Sequence, residues 1–199
     1  MRRAAGLLLL VLAAGACSED KPSPALTAPP PAAGYTRVIG QGFTIDMPAG
    51  WQQPALDPEA FAKTAAALRA KNPLLADALE AVRARIGSGS RLFAIDPNDG
   101  SSVNLVVVPS GGRSLDSIAT QASKDLERVG VTGLTQQRTN VGQRQAVELD
   151  FTLPVKGESG TLAVPEKQFY VLRSGRLYIL TLFGGSPNLA PVADSLRIS

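Results

Sequence analysis

The stretch Lys167-Gln168-Phe169-Tyr170-Val171-Leu172-Arg173-Ser174-Gly175-Arg176-Leu177-Tyr178-Ile179-Leu180-Thr181-Leu182-Phe183 decides the fold class. Two apolar runs flank Ser174-Gly175, a two-residue turn signal, and so predict an antiparallel hairpin. Successive side chains of a strand point to opposite faces. In the second run Leu177, Ile179 and Phe183 fall on one face, and Tyr178, Leu180 and Leu182 on the other. A strand that is apolar on both faces needs cover on both.

The same pattern recurs upstream. Arg91–Asp96 and Ser102–Pro109 predict a hairpin around Pro97-Asn98-Asp99-Gly100, and its second strand sets Val103, Leu105 and Val107 against Val106 and Val108. Further strands are expected at Gly42–Pro48, Leu134–Asn140 and Gln145–Leu153, the last two meeting at Val141-Gly142. Ser114–Val129 reads as an amphipathic helix, with Leu115, Ile118, Ala122, Leu126 and Val129 at spacings of three and four. Asp57-Pro58-Glu59 supplies a cap, a first-turn proline and an acidic first turn for a helical stretch to Ile86, broken near Asn72-Pro73. Pro187–Leu196 closes as a short helix. Antiparallel hairpins with central strands apolar on both sides predict an α+β, three-layer α/β/α sandwich around a mostly antiparallel sheet.

The run Gly42-Phe43-Thr44-Ile45-Asp46-Met47-Pro48-Ala49-Gly50-Trp51 resembles the opening "apolar strand, Pro-x-Gly-Trp" of the PsbP-like superfamily. The Val-rich strand at Asn104–Val108, the helix at Ser114, the Asn140-Val141-Gly142 turn, the Tyr170/Tyr178 hairpin and the closing Asp194-Ser195-Leu196-Arg197-Ile198 follow in matching order. In style the chain is similar to the LpqN-type probable lipoproteins of actinobacteria. The resemblance spans Tyr35 to Ser199. It implies a fold and a non-catalytic role in binding proteins or small ligands, and it names no chemistry, because a fold does not carry a function.

The N-terminus concerns address. Met1-Arg2-Arg3 is a positive n-region, Gly6–Ala13 an apolar h-region, and Ala14-Gly15-Ala16 the small residues a signal peptidase needs. The apolar run ends well short of the roughly 20 residues that span a bilayer. Leu12-Ala13-Ala14-Gly15-Ala16-Cys17 resembles a lipobox, with Ala14 where leucine is preferred, and Cys17 is the chain's one cysteine. Cys17 is therefore the expected diacylglyceryl attachment site. Ordinary cleavage after Ala16, releasing a soluble secreted protein, is the competing reading. Residues 1–16 are then the signal peptide, 17–34 the lipidated cysteine with a Pro/Ala-rich tether, and 35–199 one globular domain. The expected location is outside the cytoplasm, lipid-anchored to the bacterial cell membrane.

Composition narrows the chemistry. The 199 residues include no histidine, which removes Ser-His-Asp and Cys-His catalysis and the commonest metal ligand. One cysteine permits no internal disulfide. The formal charge of +3 falls to about +1 once Arg2 and Arg3 leave with the signal, so no nucleic-acid partner is expected. The loop Asp96-Pro97-Asn98-Asp99-Gly100 has Val107 where a calcium loop needs its bidentate Glu, and it reads as a polar turn. Gly111-Gly112 and Gly184-Gly185 lack the spacing and lysine of a phosphate loop. The one Ser-x-x-Lys pair of the sequence, Ser18 and Lys21, falls in the expected tether. Glu148 and Asp150, two apart on one strand, point the same way and are expected on the solvated face of an outer strand. Trp51, which follows a turn, is expected to pack in the core or at its edge and not to form a binding platform.

No enzyme, cofactor, metal site or catalytic residue is expected. The leading expectation is a non-catalytic binding or adaptor module of the cell envelope, touching the membrane through its anchor and an envelope protein or apolar ligand through its domain. The alternative is a carrier or sensor of an apolar envelope ligand, secreted and soluble or tethered, using a gap between the sheet and the helices of Pro58–Ile86.

Overall fold

The computed structural model describes residues 29–54, 56, 58–70, 73, 76–77, 80, 89–157 and 160–199. The expected signal peptide, Cys17, most of the expected tether and Asn72 of the expected helix break lie outside them.

Six strands form an antiparallel sheet: β3 (Ser90–Ile95), β4 (Ser102–Pro109), β5 (Thr132–Val141), β6 (Arg144–Gly157), β7 (Gly160–Arg173) and β8 (Arg176–Phe183). Their spatial order is β3-β4-β8-β7-β6-β5. A smaller antiparallel sheet joins β1 (Tyr35–Gly40), β2 (Phe43–Pro48) and the short β9 (Arg197–Ile198) in the order β1-β2-β9. The helices are α1 (Pro58–Arg69), α2 (Leu115–Arg128) and α3 (Ala190–Ser195), the last entered through a 3-10 turn at Pro187–Leu189.

Both faces of the large sheet are covered. On one, Leu105, Val171, Leu180 and Leu182 pack with Ile45 and Met47 of β2 and with Val192 and Leu196 of the C-terminal segment. That layer is therefore part helix and part sheet. On the other face α2 lays Ile118 and Ala119 over Val147, Leu149, Phe151 and Leu177. Beside it α1 packs Phe61, Ala65 and Leu68 on Phe93 and Ile95, with the Phe61 and Phe93 ring centroids 4.9 Å apart. Ser114 caps α2, its hydroxyl accepting from the Ser117 amide at 3.3 Å.

Three expectations are corrected by pairing. The β6–β7 ribbon runs past Leu153 and begins before Lys167, and it contains Pro154 and Pro165. Proline lacks the donor of a ladder. Pro154, however, lies beyond the last β5 partner, Thr152, and Pro165 beyond the last β8 partner, Glu166. Each proline sits just past the last paired residue of one neighbouring strand. Second, β6 is an interior strand, between β5 and β7, because the polar β5 takes the outer position. Glu148 is consequently buried rather than solvated. Third, Val106 and Val108 are only half-buried: Val108 lies along a trough beside α2, and Val106 lines a cavity over β4, β7 and β8. No helix among the described residues is long and apolar enough to cross a membrane.

Candidate functional site

A cleft of about 440 Å³ opens between the large sheet and the C-terminal segment. Phe169 and Leu182 form an apolar floor, and Leu189, Ala190 and Ala193 a wall. This wall stands where it does because Ser195 Oγ accepts from the Asp46 amide at 2.8 Å and donates to Val192 O at 2.7 Å, tying α3 to β2. Gly184-Gly185 closes one end, the Gly184 amide donating to Pro165 O at 2.9 Å. Gly184 has φ +104° and its backbone lies against Ser101, so a side chain there has neither the dihedral nor the room.

The polar side of the cleft is built from β6 and β7. Asp150 and Lys167 are directly paired across the ladder, and Glu148 lies two residues along on the same face. Lys167 Nζ donates to Glu148 Oε1 at 2.8 Å and bridges to Asp150 Oδ2 at 2.7 Å. The Glu148 side chain is 9% exposed, that of Asp150 42% and that of Lys167 47%. Hydrogen bonds to Asp150 and then Glu148 hold the Lys167 ammonium above the ordinary lysine value. A lysine so held is a poor base and nucleophile at neutral pH. Asp194 stands exposed at the rim.

The opposite face carries a shallower trough beside α2, with Leu126, Val129, Leu177 and Ile179 along it. It meets a cavity of about 190 Å³ over β4, β8 and β7. The floor of that cavity is polar. Asn104, Thr181 and Gln168 are aligned across three strands. The Tyr170 hydroxyl donates to Gln168 Oε1, and Gln168 Nε2 donates to Glu166 at 2.7 Å. Burial pushes the Tyr170 phenol well above its usual value, with Glu166 and Asp125 adding to the shift. Such a floor suits polar ligand atoms better than a continuous apolar chain.

The other residues singled out in the sequence have structural jobs. Asp96 Oδ1 accepts from the Asn98 amide at 2.8 Å and Asp99 Oδ1 from the Ser101 amide at 2.8 Å, so both carboxylates brace their own turn. Among the described residues no group of three or more acidic side chains could hold a metal ion. Gly111 and Gly112, at φ +62° and +72°, reverse the chain after β4. Trp51 is half-buried and packs on the main core. Cys17, Ser18 and Lys21 lie outside the described residues. Lys167 and the Gly184–Asp194 wall escape sequence reading, and only the alternation of β6 hints at half of the site.

No protein-family model matches the chain, and neither does any curated protein sequence. Among solved structures, the cyanobacterial PsbP (CyanoP) of Synechocystis superposes with a TM-score of 0.53 at 10% identity, over 85% of this chain and 95% of that one. The fold is PsbP-like. LpqN of Mycobacterium tuberculosis, a protein involved in cell envelope biogenesis, matches with a TM-score of 0.46 at 14% identity, over 83% and 90% of the two chains. A Bacteroides thetaiotaomicron protein matches with 0.48 at 12% identity, over 79% of this chain; the match spans 45% of that protein's length. The Pro48-Ala49-Gly50-Trp51 run of this chain has a local cause. Pro48 ends β2, Gly50 takes φ +86° in the turn, and Trp51 returns to the core.

Proposed function

We propose that the protein is an envelope lipoprotein, exported, cleaved before Cys17 and anchored there by a diacylglyceryl group, whose PsbP-like domain is a non-catalytic binding module. The observation that carries the anchor is the chain's single cysteine falling at the end of a leader with positive, apolar and small-residue regions in order. Two acyl chains hold a protein stably on a membrane, where one does so marginally. The binding role is supported by the cleft between β6–β7 and α3: its lysine is engaged by two carboxylates, an arrangement suited to recognition and not to proton transfer.

Intact mass of the membrane-fraction protein tests this, for the wild type and for Cys17→Ala. A diacylglyceryl increment on the wild type, lost with membrane attachment in the variant, is the expected result. An unmodified soluble chain beginning at Cys17 refutes the anchor and leaves a secreted, shuttling carrier as the better reading.

A further inference from the structure

We propose that the cleft between β6–β7 and α3 binds a small organic cation, an ammonium or guanidinium group carried on an apolar body. The inference deepens the reading of the domain as a binding module and is independent of the anchor. Three carboxylates, Glu148, Asp150 and Asp194, face this cleft against the single ammonium of Lys167. Glu166 is not counted, since strand alternation turns its side chain to the opposite face, where it meets Gln168. Arg197 does not line the cleft; its guanidinium donates to the backbone carbonyls of Asp194 and Leu196 behind the wall.

Lys167 occupies one oxygen of each inner carboxylate. Glu148 Oε2 and Asp150 Oδ1 have no second protein partner among the described residues. The Glu148 side chain is nine-tenths buried and lines the cleft, and a charged carboxylate makes a stronger hydrogen bond than a neutral acceptor. A ligand ammonium there completes the charge balance. Phe169, Leu182 and Leu189 are placed to take up the attached apolar group, as in sites where a few polar groups orient a mainly apolar ligand. A bare divalent metal does not fit, because the central position is already held by the Lys167 ammonium.

The test is a titration of the purified protein with n-hexylammonium, followed by backbone amide NMR, with hexanoate and hexanol as anionic and neutral controls of the same length. Saturable shifts at Thr139, Asn140, Gly184 and Gly185 with hexylammonium alone support the proposal. Affinity should fall about ten-fold or more in Glu148→Gln, the effect of a lost charge-assisted bond. Asp150→Asn, at a more exposed position, guards against misfolding of the first variant and should weaken binding by a smaller factor. Equal shifts with hexanol or hexanoate, or none with hexylammonium in a folded protein, overturn the proposal. Binding of the controls would still leave the cleft as a binding surface. No membrane enters the assay, so its failure is distinct from failure of the anchor.

Discussion

Replacing Lys167 by methionine keeps an unbranched side chain of similar length and removes the charge that bridges Glu148 and Asp150. The cost can be worked from the exposure of the partners. Asp150 is 42% exposed, and its bridge is a surface pair worth about 0.2–1 kcal/mol. Glu148, at 9% exposed, is left as an unpaired carboxylate; stranding a buried charge costs about 3–5 kcal/mol, reduced here because the cleft admits solvent. We expect a net loss of about 2 kcal/mol, or a drop of about 1 M in the urea midpoint at a slope near 2 kcal/mol per M. Urea unfolding followed by far-ultraviolet circular dichroism, with the slope unchanged, is the assay. The decisive comparison is the double variant Lys167→Met with Glu148→Gln. Removing both charges should cost about 1 kcal/mol, well below the sum of the single losses, because no charge is then stranded. A loss under about 0.5 kcal/mol for Lys167→Met, or strict additivity in the double variant, would show a solvent-screened surface pair and refute the reasoning.

Alkaline stability follows from two groups. Lys167 and Tyr170 both have folded-state values raised above their ordinary ones, so the fold binds more protons than the unfolded chain at high pH. Their contribution is complete below pH about 10 and is lost as the pH climbs through the raised values. Thermal melts from pH 9 upward should therefore show a steeper fall for wild type than for Tyr170→Phe, and identical slopes would count against it. Gly142 has φ +56°, and a Cβ there would run into the Leu196 carbonyl and the Arg197 guanidinium. Gly142→Ala should lose about 1–3 kcal/mol by chemical denaturation, and an unchanged midpoint would mean that the β5–β6 turn and the C-terminal segment yield freely.

Much of the fold is legible from local pattern. Period-two alternation places β4 and β8 and the double-sided burial of β8, though not that of β4; the three-and-four spacing places α2; Ser174-Gly175 and Val141-Gly142 place two turns. These signals survive because each is a property of a few neighbouring residues. The same alternation puts Glu148 and Asp150 on one face, which is half of the candidate site. It does not say which strand is outermost, so it leaves Glu148 on a solvated edge when β5 in fact shields it.

What the sequence alone determined is the absence of histidine, the single cysteine that permits no internal disulfide, and the demand for cover on both faces of the sheet. Tertiary structure decided the rest. Prolines 154 and 165 stand inside long strands because each lies beyond its neighbour's last pairing. Lys167 becomes the partner of Asp150 only in that same register, 17 residues away in the chain and directly across the ladder. The cleft itself needs α3, held on β2 by Ser195 and Asp46, 149 positions apart. Contacts of such separation are set by how layers stack, a physical choice that no local window of residues contains.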